Sequence, residues 1–279
     1  VSKVFGYSMP FSPRGKAGIV ASPPWHYVGN FLAIDFWAKP EAVEALLPPG
    51  LELSLTNPGR CTANFVDWQF TSDEGDELLD PIRSQYHEFL LLVHANYEGQ
   101  SVMYCPYIYV DQDASLMRGL IQGYPKKIGS VYTTRTFNIP SKASAPLRSG
   151  GVFAGTLAVK DRRLAEGVVQ IENEASARPV AVFGSAPVIT MRHFPSLEAG
   201  RENYPAVYEL TRAKPEDTAI SEIWQGSASL RFYDTPTEDL KELEPVEVNA
   251  GYRYTIAFTL RNNWVVKDLR ESCAFQHDT

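Results

Sequence analysis

The sequence predicts an α+β fold, mainly antiparallel β or β-barrel-like, carrying a few short helices. Two observations lead there. β-forming runs follow one another with turn signals between them, and no strand–helix–strand alternation of a parallel sheet appears. The aromatic content of 12%, with 20 Pro and 19 Gly, suits short strands and turns better than long helices. Residues 1–25, rich in Pro, Gly and Ser, read as an irregular lead-in. Residues 30–37 (NFLAIDFW) are apolar β-formers and read as a strand. Residues 40–47 form a short amphipathic helix, with Pro40 suited to the first helical position and Pro48-Pro49-Gly50 as its stop. Residues 73–80 (DEGDELLD) form an acidic loop without the alternating ligands of a calcium site, so solvation is expected. Residues 86–95 and 101–110 pair as a hairpin across Asn96–Gln100. Residues 115–122 form a short helix. β-like segments follow at 130–137, 152–159, 180–191, 218–233 and 246–260, with one more helix near 203–211. No repeat, low-complexity tract or linker interrupts the chain, which implies one domain over 1–279.

Composition narrows the partners. A net charge of −7 without a basic stripe excludes a nucleic-acid surface. The longest strongly apolar run, 89–93, is far too short to span a membrane, and the first residues lack the apolar core of a signal peptide. Cys61, Cys105 and Cys273 are scattered and odd in number, without metal-ligand spacing, which points to a reducing, cytoplasmic setting. His87 and His94, seven apart in a β segment, fall on opposite faces and read as structural rather than metal-binding.

The most informative segment is 122–129, Gln-Gly-Tyr-Pro-Lys-Lys-Ile-Gly. Adjacent lysines usually mark a solvated turn. Here the flanks are apolar, and Tyr-Pro fixes the backbone just before the pair. Two ammonium groups in such a setting repel each other and are poorly solvated, and both effects favour the neutral, nucleophilic amine. A lysine of ordinary pKa is neutral in only about one molecule in a few thousand at pH 7. Lowering that pKa by about 3–4 units costs about 1.4 kcal/mol per unit, which an enclosing domain can supply and an exposed turn cannot.

Gly-Tyr-Pro-Lys126-Lys127-Ile-Gly resembles the Schiff-base segment of the acetoacetate decarboxylase superfamily. Residues 41–53, Tyr86-His87-Glu88, Gly155-Thr156-Leu157 and residues 219–233 with their Trp-x-Gly extend the resemblance over most of the chain. It implies a β-barrel or cone, a homo-oligomer, and catalysis without metal or organic cofactor. It makes Lys126 the imine former, Lys127 its neighbour and Glu88 the facing acid/base carboxylate. Two positions depart from the decarboxylases: their first-strand arginine falls at Gly29, and a second glutamate falls near Asn64.

Those losses point away from acetoacetate and toward the branch of the superfamily that joins pyruvate to an aldehyde and removes water. The resemblance places Tyr86 and Gln122 on the pyruvate carboxylate as neutral donors, and it calls for a last-strand tyrosine as proton donor, Tyr252 or its neighbour Tyr254. Gln122, four residues before Lys126, would approach it on a helical turn. Arg118 suits either a substrate acid or helix solvation. Decarboxylation, cyclisation or hydration–retroaldol chemistry through the same imine stays open, as does a non-catalytic small-molecule-binding barrel.

Overall fold

The computed structural model describes residues 3–201 and 203–270. Cys273 lies outside the described residues. The strands are β1 (Trp25–Trp37), β2 (Glu52–Leu53), β3 (Arg60–Ser72), β4 (Gln85–Tyr97), β5 (Gln100–Val110), β6 (Lys126–Ile128), β7 (Ser130–Thr133), β8 (Val152–Val159), β9 (Arg162–Glu174), β10 (Val188–Phe194), β11 (Val207–Ile220), β12 (Trp224–Phe232) and β13 (Glu247–Asp268). The α-helices are α1 (Pro40–Glu44), α2 (Pro81–Ser84) and α3 (Asp113–Gln122).

The pairings close on themselves. Strand β1 pairs with both β3 and β13, and the path β1-β3-β4-β5-β10-β11-β13 returns to β1. Every neighbour in that ring is antiparallel except β5–β10. From β13 the sheet continues through β12, β9, β8 and β7, which fold over the outside of the ring. Strand alternation then divides the hydrophobic residues into two cores. On β1, Leu32, Ile34 and Phe36 face outward and pack with Phe153 and Leu157 of β8. Tyr27, Phe31 and Ala33 face inward with Trp68, Leu90, Tyr254 and Phe258. The mixed α+β architecture, dominated by antiparallel strands, is the one the sequence predicts.

Some elements differ. The segment near 203–211 is not a helix; Val207 begins β11, which lies between β10 and β13. Pairing on both sides overrides the helix-compatible Glu-Leu-Thr-Arg-Ala pattern. Strands β3 and β9 were not foreseen. Strand β3 carries Thr62 and Asn64 on a buried face, which hides its alternation. The acidic stretch is not merely solvated. Glu77 is buried, and its carboxylate accepts hydrogen bonds from the Ser72 amide and hydroxyl and the Thr71 hydroxyl. The hairpin turn is tighter than the gap suggested: Tyr97 pairs with Gln100 across Glu98 and Gly99, both at positive φ.

Candidate active site

Helix α3 delivers the lysine segment to the barrel interior. Gly123 adopts the left-handed conformation (φ 96°) that ends the helix, and the Tyr124 amide donates back to the Gly119 carbonyl. The Gln122 carbonyl accepts hydrogen bonds from Thr190 Oγ1, Thr211 Oγ1 and Asn263 Nδ2, at 3.0, 2.6 and 3.0 Å. This anchored helix end is followed at once by β6, which runs parallel to β5 with Lys126 beside Ile108 and Lys127 beside Tyr109.

Because β6 is a strand, its two lysines part company. The Lys126 side chain turns inward and is 7% exposed. Its Nζ donates to Glu88 Oε2 at 2.7 Å and to Ser115 Oγ at 2.9 Å. Its stem lies against the bare Cα of Gly119, where a Cβ would stand 2.3 Å from Lys126 Cδ. Lys127 points to the other side, with its ammonium 2.5 Å from Glu238 and its side chain half exposed. Glu238 also accepts from the Tyr109 hydroxyl at 2.7 Å. Lys127 and its counter-ion thus lie on the side of β6 away from Lys126.

Burial is the main force that lowers the Lys126 pKa, and Arg118 lowers it further, while the Glu88 carboxylate opposes both. Arg118 is the residue that sequence reasoning left undecided. It is 2% exposed, with its guanidinium 3.8 Å from the centre of the Phe70 ring and beside the Tyr27 and Tyr86 hydroxyls. Its Nη2 has no hydrogen-bond partner among the described residues. Its place on α3, one residue before Gly119, was the available signal; its burial was not readable from α3's mixed composition.

These groups surround one cavity. Glu88, Arg118, Gln122 and Lys126 line it, with Tyr27, Tyr86 and Tyr124 supplying hydroxyls. The free space at its centre is about 40 Å³, room for roughly three waters. Tyr86, Glu88, Gln122 and Lys126 thus come together. Gln122 does so from the helix end rather than by helical stacking on Lys126, because the helix stops at Gln122.

Tyr252 is not brought to this cavity. It faces Ala33 across β1–β13, with Asp35 and Arg60 as its charged neighbours. It stands six residues before Phe258 on the same strand, about 20 Å along it. Tyr254 is committed as well: it stacks on Phe31 and its hydroxyl accepts from the Phe183 amide at 3.0 Å. The β13 residues at the cavity wall are Phe258 and Leu260, neither of which carries a transferable proton. Tyr27 and Tyr124 are the hydroxyls that sequence reasoning missed.

The two departures from the decarboxylases acquire a physical setting. Gly29 faces Trp68 across β1–β3, and a Cβ there would stand 2.4 Å from the indole. The indole occupies the space an arginine side chain would need, and its Nε1 donates to Glu88 Oε1 at 3.1 Å. Asn64 is fully buried, with its Nδ2 donating to the carbonyls of Thr62 and Leu90, and it does not line the cavity. Among the described residues no group of His, Cys, Asp and Glu could hold a metal ion.

Comparison with known proteins places this geometry in a family. The sequence pattern of acetoacetate decarboxylase matches residues 8–269. The chain belongs to the acetoacetate decarboxylase family. Among solved structures, it is similar to the enduracididine biosynthesis enzyme MppR in complex with the condensation product of pyruvate and imidazole 4-carboxaldehyde, at 35% identity and a TM-score of 0.89, covering 96% of this chain and 98% of that one. MppR has also been solved with pyruvate bound, and that structure is 34% identical with a TM-score of 0.88, covering 96% of this chain and 99% of MppR. An acetoacetate decarboxylase-like enzyme from Sphingomonas wittichii RW1 is 25% identical with a TM-score of 0.85, covering 95% and 100%. No curated protein matches the sequence significantly. The family is one of enzymes, and these neighbours support its branch outside the true decarboxylases. Among the described residues no helix is long and apolar enough to cross a membrane.

Proposed function

We propose that this protein is a lyase that joins pyruvate to an aldehyde through an imine on Lys126 and then removes water, giving a 2-oxo-3-enoic acid. The observation that carries the reading is Arg118 beside Lys126 in one cavity. A buried guanidinium with an unpartnered Nη2 is a receptor for a carboxylate, and the amine next to it is positioned to meet the adjacent ketone. In this reading Tyr86 and Gln122 act beside Arg118, which the sequence left open as either a binder of the substrate acid or a solvated helix residue. MppR's complexes with pyruvate and with a pyruvate–aldehyde condensation product support the same substrate class.

In the first step neutral Lys126 Nζ adds to the pyruvate ketone, and the carbinolamine loses water to give an iminium. Glu88, 2.7 Å from Nζ, takes and returns the protons of these steps. The iminium draws electrons from the methyl group, which loses a proton to give an enamine. The enamine carbon bonds to the aldehyde carbon, and the aldehyde oxygen takes up a proton. Loss of a second proton from the former methyl carbon expels that oxygen as water and leaves a carbon–carbon double bond. Water then hydrolyses the iminium, so that pyruvate plus aldehyde give the enoic acid plus one water. We assign protonation of the aldehyde oxygen to Tyr124, which lines the cavity wall.

The test is borohydride reduction with pyruvate, followed by mass spectrometry. A stable adduct on Lys126, absent in Lys126→Ala, is expected, together with enoic acid formed from pyruvate and benzaldehyde. Absence of an adduct between pH 6 and 9 would overturn the imine and leave a binding barrel. Carbon dioxide release from acetoacetate at an enzymatic rate would contradict the reading of Gly29 and Asn64.

A further inference from the structure

The free space of about 40 Å³ beside Lys126 leaves little room for the body of a second substrate next to pyruvate. A cleft of about 320 Å³ shares a wall with the cavity through Tyr124, Phe183, Phe258 and Leu260. Its floor is apolar, formed by Val188, Ile256 and the Ala186-Pro187 segment. Its rim carries Arg178, Arg212 and Lys214, and among the described residues no carboxylate lines it. None of the three cations forms an ion pair among the described residues; Arg178 donates to the Phe183 carbonyl at 2.7 Å. In a protein of net charge −7, three uncompensated cations around one cleft are unusual.

A neighbouring cleft provides the contrast. It also adjoins the site through Gln122 and Leu260, and it too holds arginines. There the charges are neutralised: Arg192 pairs with Glu209, and Arg261 with Glu216 and Asp217. Of these two clefts, the first keeps unpaired positive charge at its rim among the described residues.

We propose that this cationic cleft binds the aldehyde, and that the aldehyde has a flat apolar body ending in an anionic group, as a formylbenzoate does. Its reactive carbon would meet the enamine at the shared aromatic wall, where Tyr124 can reach the aldehyde oxygen. The body would lie along Val188 and Ile256, and its far-end anion would sit among Arg178, Arg212 and Lys214. The assignment of this ligand as the second substrate rests on the condensation reading above, whereas the anion site can be measured apart from it.

The experiment compares the wild type with Arg212→Gln/Lys214→Gln. Calorimetric titration with p-toluate, which has a methyl in place of the aldehyde, reads the site without catalysis. The double variant should bind it about tenfold more weakly, the effect of losing roughly one charged hydrogen bond. Equal affinity in both proteins overturns the anion site. Turnover of pyruvate with 4-formylbenzoate and with benzaldehyde reads the second-substrate role. The wild type should favour 4-formylbenzoate in kcat/KM, the ratio should fall about tenfold in the double variant, and added salt should compress it. A wild-type ratio near one, with both aldehydes consumed, overturns the proposed substrate class while leaving the condensation reading intact. Failure of the wild type to consume either aldehyde, with no borohydride adduct, overturns the condensation reading, and the toluate titration still decides the site.

Discussion

Two arginines of the barrel, the partly buried Arg60 and the fully buried Arg118, are treated in opposite ways. At one end Arg60 meets Asp35 in a closed pair, with Nε and Nη2 at 3.0 and 2.7 Å from the two carboxylate oxygens. Asn249 Nδ2 donates to the same carboxylate at 3.1 Å. At the other end Arg118 has aromatic rings and hydroxyls around it, while the nearby carboxylate, Glu88, is held by Lys126 and Trp68. A guanidinium satisfied by its own chain has nothing left to offer a ligand. One held by ring faces and two tyrosine hydroxyls keeps Nη2 free among the described residues. The closed end is structural and the open end is receptive, although both are lined by the same strands.

The largest effect on this contrast should come from breaking the closed pair. Asp35 is 1% exposed, so Asp35→Ala leaves Arg60 without its partner against a buried surface. Loss of about 3–5 kcal/mol of stability is expected in urea unfolding. The KM for pyruvate in the surviving folded protein should stay the same. A raised KM would show that the two ends are coupled and would undo the division.

The closed end should also be the more acid-sensitive one. His94 is 3% exposed, neither ring nitrogen has a hydrogen-bond partner among the described residues, and burial followed by the Arg60 charge lowers its pKa to about 4. The unfolded chain takes up this proton below about pH 6.5 and the folded chain only below about 4. Stability from His94 is therefore complete above pH 6.5 and is lost as the pH falls from there toward 4. Between pH 7 and 5 the loss is about 2 kcal/mol. His94→Leu should flatten that part of the profile in urea melts at the two pH values. An unchanged slope would show that His94 is already protonated in the fold.

At the open end, Arg118→Gln should raise the KM for pyruvate by roughly 30- to 150-fold, from the loss of about 2–3 kcal/mol of charge-assisted bonding. It should also remove a like charge from beside Lys126. The Lys126 pKa would then rise, and the limb along which activity increases with pH would move to higher pH. A KM effect without the pH shift would mean that Arg118 reaches the substrate but not the lysine.

The sequence made one end of this comparison much more legible than the other. Tyr86, Glu88, Gln122 and Lys126 could be placed because short motifs carry them, and all of them line one cavity. Tyr252 and Tyr254 could not be separated from the cavity by sequence. Their distance from it is set by how far β13 runs past the site, a matter of register across β1. Arg118 and Tyr27 were hidden for a related reason. Each sits in a segment whose buried face is decided by strands distant in sequence, so local pattern could not say which way they point. The closed pair needed Asp35 and Arg60 to meet across β1 and β3, and β3 itself had no clear alternation to announce it.

The smallest effect should come from the lysine that looked most important beside Lys126. Lys127 lies on the opposite side of β6, and its ammonium is neutralised by Glu238. A charge and its counter-charge 2.5 Å apart present a dipole to a distant group, and the field of a dipole falls off faster than that of a lone charge. Water also reaches the half-exposed Lys127 side chain and screens what remains. Lys127→Ala should therefore leave the pH dependence of borohydride trapping superimposable on that of the wild type. Its cost in stability should be at most about 1 kcal/mol, that of a half-exposed pair. A rise of about one unit in the pH of half-maximal trapping, equivalent to about 1.4 kcal/mol, would mean that Lys127 acts on Lys126 through the strand. Arg118 would then share the role of depressing the lysine, and the distinction between a receptive arginine and a paired lysine would no longer explain the site.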